Sequence, residues 1–335
     1  MSRTDETILD VKDLRVEFKS LRGIVKVLDG VSFSLTTGEI LGLVGESGCG
    51  KSVTGLSVMG LLEGPQARVT SGQILFRGSD LLRRSEKELL QLRGKELAMV
   101  FQDPLASLNP VFTVGQQVVA VIRAHRGVSR REARDLAKSA LQSVGLPPSV
   151  SILSSYPHQL SGGMRQRVCL GMALSCGAPL LIGDEPTTAL DVTIQAQILR
   201  LLLSLRDDQG VSMVLITHNL GVAAQTCDRI AVMYAGNIVE IGETRDVLVD
   251  PQHPYTLALK LCLPQGKLAA ELQTIRGSVP DLVDPPLGCR FHPRCDSAFG
   301  RCVDEKPELI ATSPDHFVAC HLLEASSATP RLEVV

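Results

Sequence analysis

Between residues 27 and 45 the chain alternates apolar and polar side chains and then turns continuously apolar, VLDGVSFSLTTGEILGLVG. Period-two alternation predicts an antiparallel strand with one wet face, and the unbroken run that follows predicts a strand buried on both faces. PLLIGDEP (179–186) and VSMVLITH (211–218) are further short apolar runs ending in polar residues, and both predict buried strands. IAVMYAGNIVEIGE (230–243) predicts a hairpin turning at Ala235-Gly236-Asn237. Helical patterning covers 86–93 and 129–145, the second opening with Ser129 and Glu132 at capping-box spacing and closing at Gly145. The arginines and Lys138 of that second helix read as a solvated face rather than a nucleic-acid patch. Beyond about residue 250, proline increases and periodicity weakens, which divides the chain into 1–250 and a C-terminal extension over 251–335.

Charge and composition narrow the class. Lysine plus arginine number 34 against 36 acidic residues, a formal charge of −2, so no basic excess points to nucleic acid. Tryptophan is absent, which argues against base-stacking platforms. The N-terminus MSRTDETILD is polar and acidic, unlike a signal peptide, and no apolar run approaches a membrane span. These features predict a soluble, cytosolic protein. In a reducing compartment its nine cysteines are expected to be thiols or metal ligands rather than disulfides.

The chemistry begins at GESGCGKS (45–52), which satisfies G-x-x-x-x-G-K-[ST] between an apolar strand and the helical stretch VTGLSVMGLL. Gly45, Gly48 and Gly50 let the backbone of Gly45, Glu46, Ser47, Gly48, Cys49, Gly50, Lys51, Ser52 and Val53 turn its amides inward at a helix N-terminus. Lys51 is expected to reach the β- and γ-phosphates of ATP and Ser52 to offer its hydroxyl to Mg²⁺. The strand ending at 184–185 carries two adjacent carboxylates: Asp184 for the Mg²⁺ shell and Glu185 for the attacking water.

LSGGMRQR (160–167) resembles the signature of ABC-transporter ATPases, and the motif order resembles that family: phosphate loop, FQDP with Gln102, signature, DEPT, ALD with Asp191, then His218. The resemblance covers about residues 8–265. It implies a P-loop α/β fold, a RecA-like core with an antiparallel β subdomain and a helical subdomain at about 103–175. It further implies that Gln102 senses the γ-phosphate through Mg²⁺ and water, that Glu185 is the catalytic carboxylate, that His218 is the switch, and that Asp191 couples two nucleotide sites. Phe18 is the candidate adenine-stacking aromatic, and Cys49, where serine is commoner, reads as a small filler. Unobstructed amides after Ser161, Gly162 and Gly163, with Gln166 one turn on, form a second anion site at a helix N-terminus. In the family that site completes a partner's ATP pocket, so one copy of each motif implies pairing with an identical or a related ATPase subunit.

The tail, DPQHPYTLALKLCLP (250–264) and GSVPDLVDPPLGCRFHPRC (277–295), resembles the C-terminal extension of dipeptide/oligopeptide permease ATPases, whose substrates are peptides and sometimes nickel complexes or other small solutes. That resemblance implies two membrane permease subunits, an extracytoplasmic substrate-binding protein, and a location on the cytoplasmic face of the membrane. Only the tail favours import over export. Cys289, Cys295, Cys302 and Cys320 are separated by 5, 6 and 17 residues, which lacks the close pairs of structural zinc sites. A 4Fe–4S cluster, zinc and plain thiols all remain chemically open; the resemblance favours the cluster, as a clip for a core-poor tail. Cys169, Cys176, Cys227 and Cys262 read as core fillers. Chromosome-maintenance ATPases are rejected because Ser52 and Ser161 lie only 109 positions apart, leaving no room for a coiled coil. Two-domain translation-factor ATPases are rejected because only one set of motifs is present.

Overall fold

The structure, a computed structural model, describes residues 6–62, 64, 66–147, 150–188, 190–262 and 274–324. Residues 1–5, Ala189 of the ALD motif, and Leu263 and Pro264 of the tail motif lie outside the described residues. In chain order the strands are β1 (Thr7–Ser20), β2 (Gly23–Thr36), β3 (Ile40–Val44), β4 (Ala67–Phe76), β5 (Ser79–Asp80), β6 (Leu97–Val100), β7 (Leu180–Asp184) and β8 (Ser212–Thr217). The remainder are β9 (Arg229–Tyr234), β10 (Asn237–Glu243), β11 (Ile310–Ser313) and β12 (His316–Val318). The chain divides into two compact units, Met1–Ile8 with Thr36–Glu39 and Arg83–Ile216, and Leu9–Leu35 with Ile40–Leu82 and Thr217–Val335.

In the second unit the alternation at the start of the chain becomes an antiparallel sheet of order β2-β1-β4-β5. Val31, Phe33 and Leu35 of β2 bury alternate side chains, as period two requires. The continuous apolar run becomes β3, buried at every residue, which pairs in parallel with β9. β9 and β10 form the expected hairpin, Tyr234 opposite Asn237. Ala235 and Gly236 have φ of 44° and 84°, the left-handed pair that a tight primed turn demands.

The C-terminal extension joins the second sheet, the one holding β3, β9 and β10: β12 pairs antiparallel with β10, and β11 with β12. Phe291 packs edge-on to Tyr234 with centroids 5.1 Å apart and lies 5.3 Å from Tyr255. The tail is therefore held by strand pairing and an aromatic core. At its base Glu240 of β10 is fully buried and accepts hydrogen bonds from His316 Nε2 (2.8 Å), Gln252 N (2.9 Å) and His253 N (3.0 Å). Burial raises the Glu240 pKa, but these donors more than offset it and hold the carboxyl below its ordinary value.

His253 is buried and caps the helix Pro254–Leu261, its Nδ1 accepting from Tyr255 N at 3.0 Å. Burial pushes its pKa from 6.5 down to about 4, so it folds neutral. The unfolded chain then binds the extra proton between those two values. Stability should be complete above pH 6.5, fall as pH drops toward 4, and level off below it. The loss should total about 3 kcal/mol. His253→Asn, which keeps a capping side chain, should flatten that part of a urea-midpoint profile between pH 7 and 4.

In the first unit β6, β7 and β8 run parallel, Leu97 against Leu180 and Gly183 against Leu215. β7 and β8 are buried throughout, as their apolar runs predicted. The helices Val114–Arg126, Arg130–Ser143, Gly162–Leu174 and Val192–Gln209 belong to the same unit. Ser129 caps Arg130–Ser143 by accepting from Glu132 N at 3.3 Å, and Gly145 follows in the left-handed region at φ 74°. Among the described residues no helix is long and apolar enough to cross a membrane.

Candidate functional site

The phosphate loop lies in the second unit, between β3 and the helix Lys51–Val58. Gly45, Gly48 and Gly50 have φ of 157°, 81° and 105°, values that side chains rarely adopt. At Gly45 space forbids a substituent as well: a Cβ there would lie 2.1 Å from the Met233 carbonyl oxygen, fixed backbone of β9. Gly45→Ala should lower stability by about 2 kcal/mol and weaken ATP binding with it, read by urea unfolding and nucleotide titration. Lys51 is buried at 5% exposure, and its Nζ donates to the carbonyl oxygens of Gly45 (2.8 Å) and Glu46 (2.9 Å). Ser47 and Ser52 are exposed, and Val53 is half-buried behind them. Cys49 is wholly buried and burial raises its thiol pKa, with Lys51 opposing, so it acts as a small filler.

Two groups on the loop were missed by sequence reasoning. The Arg294 guanidinium grips the Glu46 carboxylate with two bonds, Nη1 at 2.6 Å and Nη2 at 3.1 Å, and Glu46 N donates to Tyr255 Oη at 3.0 Å. The signal was present in HPYT and HPRC of the tail, but nothing in the spacing ties positions 255 and 294 to 46. In the same unit, Phe18 is half-buried on β1 opposite Ala67, and His218 is exposed just past β8.

The first unit carries the carboxylates and the signature. Asp184 ends β7, buried, and Glu185 follows with φ 48°, a left-handed conformation unusual for a side-chain-bearing residue. Such local strain is typical of functional positions. Glu185 Oε2 accepts from Gln102 Nε2 at 3.0 Å and from Thr188 Oγ1 at 2.8 Å, so the FQDP and DEPT motifs meet at one carboxylate oxygen. Thr188 is the residue that sequence reasoning passed over here.

Ser161 caps the helix Gly162–Leu174, its Oγ accepting from Met164 N at 3.3 Å. Gly163 is pressed against the next helix, where a Cβ would lie 2.5 Å from Ile194 Cγ2. Gln166 is buried at 2% exposure with its Nε2 unpartnered, facing the interior, while Ser161 is exposed. Asp191 caps Val192–Gln209 through Ile194 N at 2.9 Å.

The tail cysteines require a correction. Cys289, Cys295, Cys302 and Cys320 line one void with Phe291 and His321, but that void measures about 10 Å³, at most one water. A 4Fe–4S cluster does not fit there. Among the described residues no group of three or more His, Cys, Asp or Glu side chains is arranged to hold a metal ion, which removes zinc as well. Burial pushes the Cys289 thiol up to about 11 and raises Cys295, keeping both protonated at neutral pH. None of the nine cysteines is joined in a disulfide. The expectation failed because thiolate count was read without the packing: strand pairing and Phe291 already supply what a metal clip was invoked for. Of the four expected to be core fillers, Cys169 and Cys227 are buried and Cys176 and Cys262 half-buried.

A phosphate loop, a strand-end carboxylate pair tied to a glutamine, and a serine-glycine helix start define an ATP-binding cassette, and the comparisons agree. Residues 28–188 match the family described as ABC transporter. The chain belongs to the ABC-transporter family of ATP-binding proteins, in the branch whose oligopeptide/dipeptide transporter C-terminal region matches residues 239–302. A dipeptide transport ATP-binding protein of Bacillus subtilis is 49% identical over 95% of this chain and 95% of its own length. The protein of that description from Escherichia coli is 45% identical, covering 97% of this chain and 99% of its own. A dimeric bacterial ABC-transporter cassette superposes with TM-score 0.62 at 29% identity, over 71% of this chain and 99% of its own. A cassette in a post-hydrolysis dimer bound to ADP and Pi gives 0.63, also at 29% identity and the same coverage.

Proposed function

We propose that this chain is the ATP-hydrolysing subunit of an importer of di- and oligopeptides, working on the cytoplasmic face of the membrane beside membrane-spanning partners. The observation that carries the reading is the union, in one chain, of the cassette (28–188) and the peptide-transporter C-terminal region (239–302). An importer of nickel or another small solute would share the cassette; the dipeptide transport relatives, 45–49% identical over nearly the whole chain, favour peptides. A Brucella melitensis relative with peptide import in its description, 45% identical over 96% of this chain, favours import over export.

In this reading the loop amides from Gly45 to Val53 and the Lys51 ammonium hold the β- and γ-phosphates, and Phe18 stacks on adenine. Ser52, Gln102 and Asp184 supply the hard oxygen donors that suit Mg²⁺, whose charge would offset that of the phosphates. Glu185, oriented by Gln102 and Thr188, takes the proton of the attacking water. His218 contacts the γ-phosphate. Ser161, Gly162 and Gly163 cap the ATP of a second ATPase subunit, identical or related, with Gln166 supporting that helix from within and Asp191 linking the two sites. Closure on ATP moves the membrane subunits, and hydrolysis releases it.

The test is ATP turnover by the assembly purified with its membrane subunits and extracytoplasmic binding protein. Adding a dipeptide is expected to stimulate hydrolysis severalfold, whereas nickel ion alone should not. Stimulation by nickel and none by any peptide would reassign the solute.

A further inference from the structure

Glu46 is an awkward residue for a phosphate cradle. It puts a carboxylate in the loop whose amides are meant for a polyanion, and like charges at such range repel. The structure deals with it from three sides. Its amide donates to Tyr255 Oη at 3.0 Å, its carbonyl accepts from Lys51 Nζ at 2.9 Å, and its carboxylate is held by Arg294.

Arg294 is itself fully committed. Its Nε donates to the Arg276 carbonyl at 2.8 Å, Nη2 reaches the Ile275 carbonyl at 3.4 Å as well as Glu46, and Nη1 reaches Tyr234 Oη at 3.3 Å as well as Glu46. The guanidinium lies over the Tyr234 ring, 5.7 Å from its centroid, and the side chain is only 5% exposed. With the guanidinium enclosed and the Glu46 side chain 28% exposed, this two-pronged pair is directional and less screened than fully exposed pairs such as Arg301–Glu305. The hairpin beneath it also touches the loop, Gly236 N donating to the Cys49 carbonyl at 2.9 Å.

We propose that Arg294, supplied by the C-terminal extension, is a positioning residue of the ATP site: it turns the Glu46 carboxylate away from the phosphates and neutralises it, so that ATP affinity depends on the extension being folded in place. The inference rests on the loop holding ATP as described above. It makes the extension a part of the nucleotide site, acting through one carboxylate.

The experiment uses the purified full-length chain titrated with a fluorescent ATP analogue. Arg294→Met should weaken binding roughly tenfold, an ordinary size for coupling between a remote contact and a site. Arg294→Lys, which keeps the charge, should lose less. Adding Glu46→Gln to Arg294→Met should recover most of the loss, because the damage comes from an unneutralised carboxylate rather than from missing packing. Arg301→Met, which breaks an exposed ion pair of the same extension, serves as the control and should bind like wild type.

If Arg294→Met alone does not fold, the comparison moves to the Glu46→Gln background. There the further change of Arg294 to Met should alter affinity by no more than roughly twofold. Tenfold weakening on that background, or no rescue in the double variant, overturns the proposal. So does wild-type affinity in folded Arg294→Met. A wild-type chain that bound no ATP analogue would instead overturn the ATP-site reading itself, so the two failures are distinguishable.

Discussion

Glu185→Gln is expected to bind ATP yet turn it over about a thousandfold more slowly than wild type, the scale of losing a positioned general base. The substitution is nearly isosteric, and the glutamine carbonyl oxygen can still accept from Gln102 Nε2 and Thr188 Oγ1, the two bonds that orient the side chain. The left-handed backbone at 185 is set by the surrounding strand end, Glu185 N donating to the Ile216 carbonyl at 2.9 Å, and is not disturbed. Only the capacity to take a proton is lost. Because binding survives, the variant should accumulate the ATP-bound paired state, visible as ATP-dependent association of cassettes in sedimentation. Turnover within tenfold of wild type would remove Glu185 from its role.

Lys51→Ala should act on the opposite step, weakening ATP binding by roughly a hundredfold, as loss of a buried charge contact to phosphate does. The Lys51 ammonium is buried and bound to two loop carbonyls, so it braces the loop as well as serving the phosphates in the proposed function. Its removal strips the cation and leaves the Gly45 and Glu46 carbonyls without that donor. Equilibrium titration with the ATP analogue reads the loss directly. Loss of turnover with affinity intact would assign Lys51 to the chemical step instead.

Much of this was legible in the chain. Strands such as β3, β7 and β8 announce themselves because burial on both faces confines polar residues to their ends. The turn at Ala235-Gly236 was readable from glycine and asparagine between alternating runs. The phosphate loop and the serine-glycine helix start were readable because their chemistry needs glycine at fixed offsets.

Long-range pairings were not. Glu46 and Arg294 are 248 positions apart, and nothing in either neighbourhood names the other. β11 and β12 are short and irregular, so the tail looked core-poor when read alone; it gains its order from the edge of β10. The cysteine cluster was misjudged for the same reason. Side-chain chemistry can be read from sequence, but the space between the side chains is decided by packing, and here there is room for at most one water. Gln166 shows the limit in the other direction, since a polar residue within a signature can face inward.

The most direct measurement is uptake of a radiolabelled dipeptide into vesicles holding the whole assembly, with ATP supplied on the side of this chain and peptide on the other. Wild-type assembly should concentrate the peptide only when ATP is present, and the assembly carrying Glu185→Gln should not. Equal accumulation without ATP or with the variant, or rapid ATP turnover with no peptide moved, would contradict the account.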